Sequence, residues 1–403
     1  MVSTRHDVAI VGGGLVGTSL ALALDRIGMD VALIEATPAG ALPAVFDERN
    51  LSFAEATVNA LTALGVMQKL RTPAAPIRRI HVSRQGDFGR VQLDAGDYGR
   101  EAFGQVVMAR AFGEALEARL DEAPRVVRYR PARFLGVDDG GGVARGIRIA
   151  GEEGERTIQA RLLVGADGTR SAVREALGLD ADEHDYAQTL FVARVRSERA
   201  PDGTAYERFG DDGPTALLPR ADGQFGVVHA VAGKHAAAVA ALDASGFIAR
   251  LQQAFGWRVG RFLSAGDRST YQAVGLRAPT VLDQRAVLVG NAAQTLHPIG
   301  AQGFNLGLRD ALTLAELIEG QPDPGTDALL AAYALRRQDD RERTIRFSDG
   351  LARLTANTDP LLRPLRAIGL MAADRLPALQ GWLVGGAMGY RGDVPRLCRA
   401  LPT

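Results

Sequence analysis

The sequence predicts an α/β protein in which a Rossmann-like parallel sheet is interleaved with a mainly antiparallel sheet and followed by C-terminal helices. Three observations predict it: a glycine-rich βαβ opening, two later apolar runs suited to buried parallel strands, and a long alternating stretch between them. In the opening, Asp7-Val-Ala-Ile-Val11 is a short apolar strand and Gly12-Gly-Gly-Leu-Val-Gly17 a turn. A helix from about Leu15 to Ile27 is stopped by Gly28, and Asp30-Val-Ala-Leu-Ile34 is a second strand ending at Glu35. Two adjacent strands joined by such a helix imply a parallel unit.

Arg161-Leu-Leu-Val-Gly-Ala166 and Arg285-Ala-Val-Leu-Val289 are the two later apolar runs. Between them, Leu190 to Arg196 and Phe225 to Val231 alternate, separated by the turn signals Pro201-Asp-Gly203, Asp211-Asp-Gly-Pro214 and Ala221-Asp-Gly223. Gly140-Gly-Gly142, after two aspartates, predicts a hairpin turn and lacks the spacing of a second fingerprint. Residues 305–319 and 328–356 are expected to be helical, as is 361–385 with breaks at Pro364 and Pro377.

Composition narrows the function classes. The 403 residues are 46% hydrophobic and 23% charged, as in ordinary globular proteins. Lys+Arg and Asp+Glu are both 47, so no basic excess suits a nucleic-acid partner. Cys398 is the sole cysteine, which excludes an internal disulfide, a redox-active cysteine pair and a cysteine-based metal site. The six histidines lack metal-ligand spacing, so no metal site is expected. Arg5 and His6 before the apolar run Val8 to Leu24 resemble a weak signal peptide, but Asp7 and the glycines speak against it. No run reaches about 18 apolar residues, so no transmembrane helix is expected. A reducing, cytoplasmic setting is expected, with contact at the inner face of the membrane left open.

The first chemical motif is Gly12-x-Gly14-x-x-Gly17 with Glu35 about 20 residues on. Gly12 makes the tight turn, Gly14 lets a diphosphate approach the backbone, and Gly17 lets helix and strand pack. The helix N-terminus presents unpaired N–H groups to an anion. Glu35 can accept both ribose hydroxyls, and its charge disfavours a 2′-phosphate. The bland alternative is a structural glycine turn, which a complete βαβ unit makes the weaker reading.

Two further motifs carry a resemblance. Gly165-Ala-Asp167-Gly168 resembles the Asp-Gly motif of class A flavin monooxygenases, the family of p-hydroxybenzoate hydroxylase. Gly290-Asn291-Ala-Ala-Gln-Thr-Leu-His297-Pro298, followed by Gln302-Gly303-Phe-Asn305, resembles that family's third signature. Asn291 replaces the usual Asp, Gln294 the usual His, and Ala301 the usual first Gly. Gly300 next door is expected to absorb the last change with a modest backbone adjustment. This variant, with Ile80 to Ser83, Gly86 to Arg90, Tyr206 to Phe209 and Ala254 to Arg258, is similar to the ubiquinone-biosynthesis branch, the 2-octaprenyl-6-methoxyphenol hydroxylases.

The resemblance implies an FAD-binding domain over 1–75, 101–180 and 276–335, a substrate domain over 76–100 and 181–275, and a helical region over 336–403. FAD contacts are implied for Gly12, Gly14, Gly17, Glu35, Asp167, Gly168, Gly290, Asn291, Pro298, Gln302, Gly303 and Asn305. Arg49 in Phe46-Asp-Glu-Arg-Asn50, Arg110 and Gln105 match contact positions near the flavin, with surface ion pairing as the bland alternative. The implied reaction hydroxylates a prenylated phenol through a flavin C4a-hydroperoxide, with NADPH or NADH as transient reductant and O₂ as co-substrate.

His297 and Pro298 are candidates for shaping the site, and His229 and Tyr206 for acting on substrate, with core packing the alternative for each histidine and for Tyr206. His297→Ala is expected to slow hydroxylation more than FAD binding. The stretch Leu361 to Tyr390, with Leu362, Leu365, Ile368, Leu370, Met371, Leu376, Trp382 and Leu383 among Arg363, Arg366, Arg375 and Arg391, is an interfacial surface, a protein-docking surface, or a C-terminal helix packed on the FAD domain. A ubiquinone-biosynthesis complex or a lipid carrier would deliver so insoluble a substrate; an oligomer is left open. Competing readings are a hydroxylase for another ring position or for a soluble aromatic, an NAD-dependent dehydrogenase, and a non-catalytic nucleotide-binding subunit. A halogenase is disfavoured because Trp257 and Trp382 stand alone.

Overall fold

A computed structural model describes residues 5–44, 47, 49–139, 142–356 and 363–399, and all their side chains except those of 139, 353–356 and 363–366. Phe46 and Glu48 of the Arg49 motif, the first two glycines of the 140–142 turn, and Leu361, Leu362 and the side chains of Arg363, Leu365 and Arg366 lie outside the described residues.

The opening strand, Arg5–Val11, is the centre of an eight-stranded sheet. Val8 to Val11 pair in parallel with Leu162 to Gly165 on one side and with Val31 to Ile34 on the other. Val8, Ala9 and Ile10 are fully buried, as expected for a strand covered on both faces. Helix Leu15–Arg26 covers one face and buries every residue from Gly17 to Asp25. Strand Val126–Tyr129 extends the sheet beyond Val31–Ile34, and Ala286–Leu288 extends it beyond Gly154–Gly165. The strands Ala132–Asp139 and Arg145–Gly151, flanking the 140–142 segment, pair antiparallel.

The second sheet has nine strands and is antiparallel except where Thr204–Phe209 runs parallel to Arg79–Arg84. Side-chain alternation gives it two distinct faces. Phe191, Val195, Leu217, Phe225 and Val227 pack outward against Phe247, Leu251 and Phe255 of helix Ala244–Phe255. Asp243 starts that helix by accepting a 2.7 Å bond from the Gly246 N–H. The inner face meets a small three-stranded antiparallel sheet of Asn50–Ala54, Gly104–Met108 and Ala75–Pro76: Leu218 and Ala205 pack on Ala75, Ile77 and Val106.

Helices Gly303–Ile318 and Asp327–Ala356 are locked together by buried charge. Arg337 donates to Asp310 at 2.7 Å and to Asp340 at 2.6 Å, while Arg309 donates to Asp340 at 2.7 Å. Gln294 joins this network, donating to Asp310 at 2.6 Å and accepting from Arg341 at 2.7 Å. The planar amide thus serves a cation and a carboxylate at once, which explains why a glutamine can replace the histidine of the motif. The boundary expected at 335/336 is corrected here: it falls inside one continuous helix, because Arg337 and Asp340 anchor residues beyond 336 in the parallel-sheet half.

Helices Arg363–Arg375 and Pro377–Ala387 pack on the edge strand Arg90–Asp94, where Leu370, Leu383, Val384 and Met388 meet Val91, Leu93 and Phe103. Their other side exposes Ile368, Met371, Leu376, Leu379 and Trp382, and Phe88 is exposed beside Gly89, which abuts Ala367. Among the described residues no helix is long and apolar enough to cross a membrane.

Burial raises the Asp340 carboxyl, but Arg309 and Arg337 outweigh it and hold it at about 2. Its contribution to stability is therefore complete at neutral pH and is lost as pH falls below the ordinary carboxylate range towards 2. Arg337→Met leaves Asp310 and Asp340 facing each other without their shared cation and should cost about 3–5 kcal/mol in denaturant unfolding. A loss under about 1 kcal/mol would show that the network contributes little.

Candidate cofactor and substrate cleft

Glycine is required in the opening turn by space. Gly12 has φ 108°, and a Cβ there would lie 2.5 Å from the Ala166 carbonyl oxygen. A Cβ on Gly17 would lie 2.0 Å from the Gly12 carbonyl oxygen. Glu35 is held against the turn: its carboxylate accepts from the Gly13 and Thr37 N–H groups at 2.7 Å each. A small pocket bounded by Gly13, Glu35, Arg128 and Arg130 opens beside it.

The third motif folds onto the first. Gly290 and Gly307 both abut Val16: Cβ atoms on them would come within 3.0 and 2.9 Å of Val16 Cγ2. The first turns of Leu15–Arg26 and Gly303–Ile318 therefore meet at one end of the sheet, and both helices start there. Two sets of unpaired N–H groups and two positive helix ends face one cleft, a setting suited to a diphosphate. Asn291 is exposed beside Gly290, and its amide makes no hydrogen bond among the described residues, so it is free for a ribityl hydroxyl. Pro298 is also exposed, and Gln302 is half-buried and donates to the Gly300 carbonyl at 3.2 Å. Gly303 opens its helix with nothing within 4 Å of a would-be Cβ. A glycine cradle, a ribose-side carboxylate and paired helix ends fit FAD.

Several expected contacts are corrected by the geometry. Asn305 is saturated by the chain: its oxygen accepts from Ala54 N–H at 2.9 Å and Thr57 hydroxyl at 2.7 Å. Its amino group donates to the Ser52 and Ala301 carbonyls at 3.0 and 2.9 Å. The side chain ties the 301–305 loop to strand Asn50–Ala54 and has no group left for a cofactor. Asp167 likewise accepts from the Ser171 hydroxyl at 2.5 Å and the Val173 N–H at 3.0 Å, which fixes the turn containing Gly168, φ 86°.

His297 is buried, with Nδ1 accepting from the Ile299 N–H at 3.1 Å and Nε2 3.0 Å from the Gln188 side-chain oxygen. That pairing places the proton on Nε2, and burial depresses the imidazole to about 4, so it stays neutral. His297 positions the loop and has no free nitrogen for proton transfer. The expectation for Ala301 also fails. Gly300, at φ 71°, does not absorb the substitution, and Ala301 itself sits at φ 51°.

His229 and Tyr206 belong to the outward face. His229 bonds Thr215 at 2.8 Å and Arg250 at 3.3 Å, and Tyr206 packs edge-on to Phe255. Both point into the helix-covered core, away from the cleft, because each shares its side of the sheet with Leu217 or Phe191.

Between the two sheets stands a polar wall that motif reading missed in part. Asp47 accepts two charge-assisted bonds of 2.8 Å from Arg49 and a hydrogen bond from the Tyr271 hydroxyl; Arg49 also stacks 4.3 Å from the Tyr271 ring. Burial opposes the Asp47 charge, but these donors hold the carboxyl below its usual range. Arg220 donates to Asp222 at 2.7 Å and to the Asn50 side-chain oxygen at 2.8 Å. Gly226 lets Asn50 in, since a Cβ there would sit 1.5 Å from the Asn50 amide. Ala221-Asp-Gly223 was visible only as a turn, and nothing in the sequence linked Arg220 to Asn50, 170 residues away. Arg110 is exposed at the first turn of Ala109–Leu120, and Gln105 is half-buried in Gly104–Met108.

On the inner face, Val82, Glu207, Ala216, Val228 and Val192 form one strip across five strands. All are half-buried, although the neighbours between them in sequence along Pro214–Pro219 and Phe225–Ala232 are buried. The strip is partly open and, apart from Glu207, apolar.

An FAD binding domain family model matches residues 5–348. The chain belongs to this FAD-binding family. It is 35% identical to the ubiquinone hydroxylase UbiL of Rhodospirillum rubrum, over 98% of this chain and 93% of that protein. It is 29% identical to the 3-demethoxyubiquinol 3-hydroxylase of Escherichia coli, over 96% of this chain and 100% of that one. Among solved structures, p-nitrophenol 4-monooxygenase of Pseudomonas putida superposes with a TM-score of 0.79 at 19% identity, over 97% of this chain and 99% of that one. The Diels-Alderase PyrE3 superposes at 0.74 and 22% identity, over 97% and 82%, so the shared fold does not by itself select a reaction. As a member of the family, the chain is an FAD-dependent aromatic monooxygenase.

Ala301→Gly removes a side chain from a left-handed position and should raise unfolding stability by about 1 kcal/mol. No gain would mean that the loop relaxes around alanine. His297→Ala should lower FAD retention while leaving the rate per bound flavin and its pH profile within about twofold, a smaller effect than general acid–base loss. A large fall in rate per flavin would give the imidazole a direct role.

Proposed function

We propose that this protein hydroxylates the ring of a polyprenylated phenol of the 2-polyprenyl-6-methoxyphenol type in ubiquinone biosynthesis, using FAD, NAD(P)H as transient reductant and O₂. Similarity along nearly the whole chain to a ubiquinone hydroxylase carries this reading. The half-buried apolar strip on the inner face supports it, because such a floor suits a ring with a hydrocarbon tail.

When bound and reduced, FAD supplies the activation of O₂ that makes one oxygen electrophilic. The chain's own residues do the rest. The Gly12 and Gly290 turns and the two helix N-termini hold the diphosphate, with Glu35 at the adenosine ribose and Asn291 at the ribityl chain. The Arg49–Asp47–Tyr271 and Arg220–Asn50 contacts fix the inner face of the antiparallel sheet against the cofactor half, which positions the ring and excludes water. Hydroxylation at another ring position is the second reading, favoured by the Escherichia coli relative, whose name specifies position 3.

A prenylated substrate resides in lipid, and the exposed group Phe88, Ile368, Leu376 and Trp382 is the surface proposed to touch it. Because the same helices cover Val91, Leu93 and Phe103, their removal would expose core. Trp382→Glu with Ile368→Glu should instead abolish flotation with anionic liposomes while FAD content stays intact, and unchanged flotation removes the lipid contact. For the reaction, 2-farnesyl-6-methoxyphenol should stimulate NAD(P)H oxidation by the FAD-loaded protein and yield a product one oxygen heavier by mass spectrometry. A protein that holds FAD but turns over no prenylated phenol would end this reading.

A further inference from the structure

Glu207 is the one carboxylate on the apolar strip of the inner face. It lies in strand Thr204–Phe209, paired with Val82 on one side and Ala216 on the other. Beyond Ala216 the strip continues through Val228 to Val192, and beyond Val82 lies Val91 of the edge strand. The sheet alternation that turns Tyr206 and Arg208 outward turns Glu207 inward, on the side of Leu218 and Ala205, which pack against the cofactor half. Among the described residues no hydrogen bond or ion pair reaches its carboxylate.

The charged groups nearby on this face are already engaged. Arg84, two residues along the neighbouring strand, donates to Asp211 at 2.6 Å and lies 3.9 Å from Asp87. The C-terminal helices place Leu370, Ala373 and Leu383 against Ile80 and Val82, and their Asp374 is engaged by the Gln92 N–H of the edge strand at 2.8 Å. A carboxylate placed without a partner among half-buried valines and alanine is costly unless a ligand supplies the missing donor. A phenol hydroxyl is such a donor, and the strip offers the ring and its tail an apolar bed.

We infer that Glu207 binds the substrate's phenol hydroxyl and accepts its proton as the ring is hydroxylated. The inference rests on the phenol hydroxylase reading above. In the step, the phenol O–H bond breaks and its proton passes to a Glu207 oxygen. The electron pair moves into the ring, and a ring carbon forms the new C–O bond with the electrophilic oxygen as the O–O bond breaks. That carbon then loses its hydrogen as a proton to the original phenol oxygen, which restores the aromatic ring, and Glu207 gives its proton to the second oxygen atom, which leaves as water. NAD(P)H supplies the two electrons. Burial pushes the carboxyl up to about 7, which brings it closer to the phenol it must deprotonate. The carboxylate form is the active one, so the rate should rise with pH through about 7.

The test uses the FAD-loaded full chain with Glu207→Gln and Glu207→Leu. Flavin content and the visible spectrum report folding. Binding of 2-farnesyl-6-methoxyphenol and of its O-methyl ether is read from flavin fluorescence, and hydroxylated product is measured against NAD(P)H consumed. Glu207→Gln should keep phenol affinity within about threefold, lower the hydroxylation rate about 10²-fold, and flatten the pH profile near neutrality. Glu207→Leu should weaken the phenol about tenfold while leaving the ether unchanged, because only the phenol has a proton to donate. If wild type turns over and both variants keep its rate, its pH profile and its preference for phenol, the role of Glu207 is overturned and the hydroxylase reading survives. If wild type turns over no prenylated phenol, both fall together.

Discussion

The close approach of Val16 to Gly290 and Gly307 is the contact on which the cofactor site depends. It brings two helices from opposite ends of the sequence to a common origin, so that their unpaired N–H groups face the same volume. Any side chain at those glycines would separate the helix ends, and the two partial charges would no longer act on one anion. The Gly12 and Gly17 contacts do the same within the first unit, holding strand, turn and helix too close for a Cβ. Backbone proximity, more than any side chain, gives the cleft its fit to a diphosphate.

Around that origin, polar side chains serve mostly to hold pieces of chain. Asn305, Asp167, Gln294 and His297 sit inside or beside the motifs, and each is engaged by neighbouring backbone, a hydroxyl or buried charge. The loop between Gly290 and Gly303 is therefore fastened at several points before a cofactor arrives, and part of the ordering entropy of binding is already met.

The parallel unit was legible because glycine spacing and continuous burial leave a strong local signal, and the element limits near 303–318 and 327–356 follow from helical pattern alone. The alternating strands were legible too, but not which of their faces looks inward. Face identity depends on pairings such as Tyr206 with Leu217, and a shift of one residue exchanges Tyr206 for Glu207. For the same reason His229 and Tyr206 stood out as chemistry-bearing residues while the inward residue between Tyr206 and Arg208 did not. Contacts such as Arg220 with Asn50 join segments far apart in sequence and carry no local pattern. Motif position by itself does not tell a residue that touches the cofactor from one that braces its loop.

Asp47, Arg49 and Tyr271 connect the loop beside the cofactor cleft to the floor strand next to Leu190. A ring lying on that floor and a flavin lying against that loop therefore act on the same three side chains. Any change that occupancy at one place makes in affinity at the other is returned by an equal factor, a thermodynamic reciprocity that needs no domain movement. The reduced or oxidised form of the cofactor would then be felt as a change in hold on the substrate, and the phenol in turn would shift the flavin's midpoint potential.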